Sequence, residues 1–330
     1  MKSMKEPSTT TLRLERKKIN DNIAESGEYS DGAVTIKKWE GNNSQGNYLA
    51  EIAKDDSQFV GILNSRLEKE GYGFYRFPNN DIYFGSFKYD ERNYNGFYIW
   101  AQEEMNGKIH TESYHGFWKD NKKCKYGIYL WLDEEEDNEE FDKANFDAYI
   151  GKFDGNKFVR GTFLKKSDDN YYVYHGNFSP DGKKNDENAF FYSSSLDRLF
   201  HGKIEDDVFK DGYVVYFNSE SGLIENIVYC DFEKNKDVKN ILMKEDIKKE
   251  DLKKEEDETL LFRNVILSID YFGHIYKTYK DNVKFIIEEM GEISIFEDKE
   301  KYPNLMKTAV AYNKDNIYFD IEAKALGKKL

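Results

Sequence analysis

The feature that most constrains this chain is a short pattern in which an aromatic residue, a glycine, and an aromatic or aliphatic residue alternate with arbitrary residues. The pattern occurs six times between Phe59 and Ile204. Residues two positions apart lie on the same face of a β-strand, so each copy predicts a strand with one aromatic face. The central glycines, to which we assign a structural role in the repeat, are Gly61, Gly85, Gly116, Gly151, Gly176 and Gly202.

A second glycine follows most copies and predicts the returning strand of a β-hairpin. Gly71 to Phe87 is the clearest hairpin, because Pro78 to Asp81 contains residue types that favour a turn between two alternating aromatic runs. An isolated hairpin is marginally stable in water, so the hairpins are expected to pair with one another. The second glycines are Gly96, Gly127, Gly161 and Gly212, and the fifth copy has Ala189 at this position.

These units resemble MORN (membrane occupation and recognition nexus) repeats, whose pattern is Tyr-x-Gly-x-Trp, a polar turn, and Gly-x-Gly-x-Tyr. The resemblance covers residues 48–217. It implies a mainly β fold, an elongated antiparallel β-meander of stacked hairpins. Because the central glycines are unevenly spaced, several hairpin turns are expected to contain insertions.

The sequence predicts four segments. Residues 1–33 are polar and basic without a hydrophobic period, which predicts a disordered or extended arm. Residues 34–232 form the repeat array, and residues 233–258 mix both signs of charge at helical spacing, as in a charged helical linker. Residues 259–330 contain apolar positions every three or four residues, which predicts a small α-rich region.

Composition restricts the classes of partner. The formal net charge of -14 disfavours both nucleic-acid phosphates and an anionic membrane surface as ligands. Two cysteines, Cys124 and Cys230, do not form a disulfide framework, which favours a reducing, cytoplasmic location. No apolar run is long enough for a transmembrane helix.

No catalytic, cofactor-binding or metal-binding residue is predicted, and the protein is not expected to be an enzyme. Three Gly-Lys pairs are each followed by an apolar residue, unlike a phosphate-binding loop; they are Gly107-Lys108, Gly151-Lys152 and Gly202-Lys203. The acidic run from Asp133 to Glu140 lacks the spaced ligands and bend glycine of a calcium loop.

Three histidines, His115, His175 and His201, precede the central glycines of their copies. With strands about 4.8 Å apart, the first two would lie roughly 20 Å from each other, too far to share a metal ion. We expect all three histidines to be exposed on the surface and not to bind a metal ion.

A single-layer sheet cannot cover both of its faces, so one aromatic face is expected to contact a partner helix, a second copy, or the chain's own C-terminal helices. The partner-binding residues predicted on this basis are Tyr83, Phe87, Tyr98, Trp100, Tyr114, Trp118, Tyr129, Trp131, Tyr149 and Phe153. The resemblance implies a scaffold that docks other proteins in a ciliary axoneme or cytoskeletal assembly.

Two alternative functions stay open. The basic arm, residues 1–33, would serve a membrane-associated adaptor, although the net charge of -14 opposes membrane binding. The array would also serve as the substrate-docking part of an enzyme, as in MORN-bearing lysine methyltransferases and phosphatidylinositol-phosphate kinases. Residues 259–330 are short for either catalytic domain and contain no cofactor motif.

Overall fold

The structure is a computed structural model, and its described residues form seventeen β-strands. The predicted mainly β, antiparallel meander is confirmed. The described ranges are 26–30, 35–42, 47–54, 57–64, 66, 68–105, 107–134, 145–167, 170–217 and 224–232. The predicted linker (233–258) and α-rich region (259–330) lie outside them.

The chain divides into two compact units, each described by itself. The first unit contains β1 (Ser26–Ser30), β2 (Thr35–Asn42), β3 (Asn47–Lys54), β4 (Ser57–Asn64), β5 (Lys69–Arg76), β6 (Ile82–Lys88) and β7 (Glu91–Ile99). The second contains β8 (Glu103–Met105), β9 (Lys108–Lys119), β10 (Lys122–Glu134), β11 (Asn145–Asp154), β12 (Lys157–Ser167), β13 (Asn170–Asn177), β14 (Asp186–Ser193), β15 (Arg198–Glu205), β16 (Val208–Phe217) and β17 (Ile224–Asp231). Residues 117–121, at the end of β9 and in the turn after it, belong to the first unit.

In the first unit each strand pairs antiparallel with the next, and the glycines of successive strands oppose one another. The row runs through Gly61, Gly73, Gly85 and Gly96. The predicted hairpin from Gly71 to Phe87 is confirmed, with Gly71 opposite Phe87. Its turn is closed by the Phe77 N–H, which donates to the Asp81 carbonyl at 2.8 Å.

The second unit repeats this register from β10 onward. One row of opposed residues runs through Gly127, Gly151, Gly161 and Gly176. A second runs through Ala189, Gly202, Gly212 and Cys230. Opposed residues project on the same face, so the glycines define one face of each unit, which we call the tyrosine face.

Among the described residues, four hairpins turn through two residues that both have positive φ, as in type I′ turns, whose twist matches that of the flanking strands. Asp and Asn tolerate this left-handed conformation better than most residues, and every one of these turns contains at least one of them. The turns are Tyr89-Asp90, Asp120-Asn121, Gly155-Asn156 and Asp206-Asp207.

Candidate functional site

Each repeat tyrosine lies across the glycine row, two positions before a central glycine. A Cβ at Gly127 would lie 2.6 Å from Tyr114 Oη, and one at Gly85 would lie 2.6 Å from Tyr83 Oη. Real Cβ atoms do not approach neighbours this closely, so the ring occupies the volume that a side chain would need. The glycine and the tyrosine of the pattern therefore form one packing unit.

The tyrosine hydroxyls are buried and donate to the backbone of their own strand, three residues further on. Tyr83 Oη donates to the Ser86 carbonyl at 2.9 Å, and Tyr149 Oη donates to the Lys152 carbonyl at 2.8 Å. Burial raises the pKa of Tyr83 well above its usual range, with the nearby Arg92 opposing the shift. The Tyr83 hydroxyl therefore stays protonated, and the hydrogen bonds of both hydroxyls hold the rings over the glycines.

Basic side chains cover several aromatic rings of the tyrosine face. The Arg92 guanidinium lies 4.8 Å from the Trp118 ring centroid and 5.0 Å from that of Tyr98. In the second unit, Lys123 Nζ lies 4.6 Å from the Tyr129 centroid. Cation–π contacts of this kind contribute about 0.5–2 kcal/mol, more as the cation loses water.

The turn of each following hairpin holds these basic residues by their backbone. The Lys123 N–H donates to Asn156 Oδ1 at 2.8 Å, and the Asn156 N–H donates back to the Lys123 carbonyl at 3.1 Å. The same two-bond contact joins Lys69 with Asp90, Arg92 with Asn121, and Lys184 with Asp207. We call this contact the turn clasp; it links hairpins that are not joined by the turn itself.

Sequence reasoning missed the turn clasp, although a signal for it exists. In four copies an Asp or Asn stands five residues after the central glycine, at Asp90, Asn121, Asn156 and Asp207. An Asp or Asn at this position predicts the turn itself, but it does not predict a partner for the side chain. Its side chain in fact accepts a hydrogen bond from the backbone of the preceding hairpin.

Eight of the ten predicted partner-binding side chains are buried, because they pack over the glycine rows and under the basic side chains. The buried residues are Tyr83, Phe87, Tyr98, Tyr114, Trp118, Tyr129, Tyr149 and Phe153. Trp100 and Trp131 are half-buried. Partner binding by any of the ten stays a prediction, but only these two present part of an indole ring to solvent.

Each half-buried indole packs on a tyrosine whose hydroxyl donates to a carboxylate. In the first unit, Trp100 contacts the Tyr98 ring at 4.6 Å, and Tyr98 Oη donates to Asp81 Oδ2 at 2.5 Å. In the second unit, Trp131 contacts the Tyr129 ring at 4.2 Å, and the Tyr129 hydroxyl donates to the exposed Glu112. Each indole therefore combines an apolar surface with a nearby negative charge.

The expectation of surface histidines is wrong for two of the three. His175 and His201 are buried on the face opposite the tyrosines, where alternation along β13 and β15 places them. His175 Nδ1 lies 2.9 Å from Thr162 Oγ1, and His201 stacks on Phe190. Burial, aided by the positive charge of Arg160, lowers the pKa of His175 to about 4.

Within the described ranges, no group of three or more His, Cys, Asp or Glu side chains has the arrangement of a metal site. The same ranges contain no helix with the length and hydropathy needed to cross a membrane. Neither the family models nor the curated proteins give a match to the sequence. The long antiparallel meander of short hairpin strands is compatible with a MORN-like repeat fold.

Proposed function

We propose that this protein is a non-catalytic, cytoplasmic scaffold of the MORN-repeat type, which docks partner proteins in a ciliary or cytoskeletal assembly. The observation that carries the proposal is the half-buried indole on the tyrosine face of each unit, Trp100 in the first and Trp131 in the second, each packed on a tyrosine whose hydroxyl donates to a carboxylate. Tryptophan is the residue most enriched at binding hot spots, where a partner completes its burial.

The surroundings of the indoles are suited to docking because they are held from several sides. Around Trp131, the Phe158 and Phe163 rings lie 6.2 and 6.3 Å away and the Tyr129 ring lies 4.2 Å away. Tyr129 is itself fixed by Glu112 and covered by Lys123. A surface that is already ordered loses little entropy on binding, which favours affinity.

The charges next to the indoles indicate the chemistry of the partner. Glu112 is exposed beside Trp131, and Asp147 lies on the same face with its carboxylate 3.3 Å from Lys165 Nζ. A partner segment with an apolar anchor and neighbouring Arg or Lys side chains would match both features. A helix with anchors three and four residues apart has this form.

The proposal is tested with Trp131→Ala and Trp100→Ala in the full chain, expressed in the native cell with an affinity tag. We expect each variant to lose recovery of the native assembly while its thermal midpoint stays close to that of the wild type. Tyr149→Ala is the control, because Tyr149 is fully buried and should lose stability first.

If both indole variants recover the assembly as the wild type does, docking at these residues is refuted. Loss of assembly only in proportion to lost stability would place the two tryptophans in the core instead.

A further inference from the structure

The second unit buries eight aliphatic side chains on the face opposite its tyrosines. Alternation places them there: Ile128 opposes Ile150, and Leu130, Ala148 and Leu164 oppose one another across three strands. We call this surface the aliphatic face. Its members, each at most 2% exposed, are Ile128, Leu130, Leu132, Ala148, Leu164, Val173, Leu199 and Val215.

Neighbours within one sheet shield the flanks of a side chain but not its outward end. Complete burial of Leu130 and Val173 therefore requires covering atoms above the aliphatic face. Ser113, also on this side of β9, is fully buried, and its Oγ has no hydrogen-bond partner among the described residues. An unpaired hydroxyl shielded from water indicates that the cover is apolar at this point.

The chain itself contains a segment with the right composition. After β17 ends at Asp231, residues 233–258 are highly charged, and residues 259–290 then become rich in apolar side chains. Leu261, Val265 and Ile269 recur every four residues, the spacing of one helix face. Residues 1–25 are polar and basic and lack such a stripe.

We propose that residues 259–290 of the same chain, the C-terminal segment, dock on the aliphatic face and cover it. As a helix, residues 259–274 would be about 24 Å long and would cross about five strands spaced about 4.8 Å apart. The charged linker of residues 233–258 would reach about 39 Å even if fully helical. Both lengths suffice to bring the apolar stripe back over β10–β16.

Such a cover would have a consequence for docking. With the aliphatic face closed by the chain's own segment, external partners of the second unit are left with the tyrosine face, where Trp131 is half-buried. The inference does not depend on the proposed function, because burial of the aliphatic face is a property of the free protein.

The test measures thiol labelling in the full chain. Ala148→Cys places a nearly isosteric thiol on the aliphatic face, in a Cys124→Ser background. Native Cys230, which is 6% exposed on the tyrosine face, reports loss of the whole fold. Labelling at each site is followed by mass spectrometry.

The C-terminal segment is then perturbed by Val265→Asp with Ile269→Asp. The matched control, Asn264→Asp with Ser268→Asp, adds the same charge at the same spacing at polar positions outside the apolar stripe. We expect the thiol introduced by Ala148→Cys to react at least about ten-fold faster in the first variant and unchanged in the control, with Cys230 unchanged in both.

An unchanged labelling rate in the Val265→Asp, Ile269→Asp variant overturns the proposal. The proposal is also overturned if the thiol introduced by Ala148→Cys becomes reactive when the protein with an intact C-terminal segment is diluted, because a second copy would then be the cover. If Cys230 becomes equally reactive in the Val265→Asp, Ile269→Asp variant, the whole fold has opened. The labelling rates of the two thiols are then compared in the milder Ile269→Ala variant, with the same outcomes deciding.

Discussion

Because Tyr114 packs on Gly127, we expect the effect of Gly127→Ala on the free energy of unfolding to change sign when Tyr114 is shortened. Gly127→Ala adds a Cβ whose nearest neighbours all belong to Tyr114, at 2.6 to 2.7 Å. Tyr114 is fully buried, so its ring cannot move aside without disturbing the core. Shortening this side chain with Tyr114→Leu removes the three atoms nearest to the new methyl group, Tyr114 Cε2, Cζ and Oη.

The magnitudes follow from two opposing effects. Without a clash, Ala in a strand is more stable than Gly by about 0.5–1 kcal/mol, because Gly loses more backbone entropy on folding. Overpacking a filled core costs about 1–3 kcal/mol. We therefore expect Gly127→Ala to destabilise the wild type by about 1–2 kcal/mol and to stabilise Tyr114→Leu by up to about 1 kcal/mol.

The assay is a double-mutant cycle by urea unfolding, which gives the free energy of unfolding of each variant. Gly151→Ala with Tyr149→Leu is the control cycle. A Cβ at Gly151 meets Tyr149 Oη at 2.7 Å, but it also meets backbone atoms, the Arg160 carbonyl oxygen and the Gly161 Cα at 2.6 Å. Shortening Tyr149 leaves these backbone clashes in place and should not rescue Gly151→Ala. If Gly127→Ala is equally destabilising with and without Tyr114→Leu, or if both cycles show the same coupling, the proposed packing is refuted.

Two further predictions concern strain and pH. Tyr94 has φ of 61° and is 57% exposed. Tyr94→Gly should therefore raise the free energy of unfolding by up to about 1 kcal/mol, because glycine adopts the left-handed backbone without strain. A lower free energy of unfolding for this variant, measured with urea, would contradict the prediction. Because the folded pKa of His175 is about 4 and an exposed imidazole has about 6.5, its neutral form stabilises the fold above pH 6.5, and this stability is lost as pH falls toward 4. At pH 4.5 the free energy of unfolding should be lower by roughly 2–3 kcal/mol, and that of His175→Gln should depend less steeply on pH. Equal slopes of the free energy of unfolding against pH for the two proteins would contradict the prediction.

The repeat was predictable from sequence because alternation and turn chemistry are local. Tyr83, Gly85 and Phe87 lie two apart, and that spacing alone places them on one face of a strand. The register of Gly73 opposite Gly85 follows once the turn from Pro78 to Asp81 is known. Local patterns therefore carry most of the information about the hairpins.

The side-chain environments were less predictable because they depend on contacts between hairpins. The Asp90 carboxylate reaches the backbone of Lys69, which is 21 residues away, and no local pattern states that pairing. Tyr149 reads equally well as a core ring or as a docking ring, and only its packing with Phe158 at 4.0 Å distinguishes them. His175 likewise becomes buried through neighbours supplied by other strands.

The central claim is the register that aligns the glycines of successive hairpins, and cross-strand disulfide formation tests it most directly. Tyr126 opposes Lys152, next to the Gly127–Gly151 pair. Opposed residues lie about 4.5–5.5 Å apart at Cα, within the range for a disulfide, whereas a partner two residues along the strand lies beyond about 7 Å. With both native cysteines replaced by serine, Tyr126→Cys with Lys152→Cys should oxidise to an intramolecular disulfide, and Tyr126→Cys with Ile150→Cys should not. Preferential oxidation of the second pair would show that the strands are shifted by two residues and would contradict the glycine alignment.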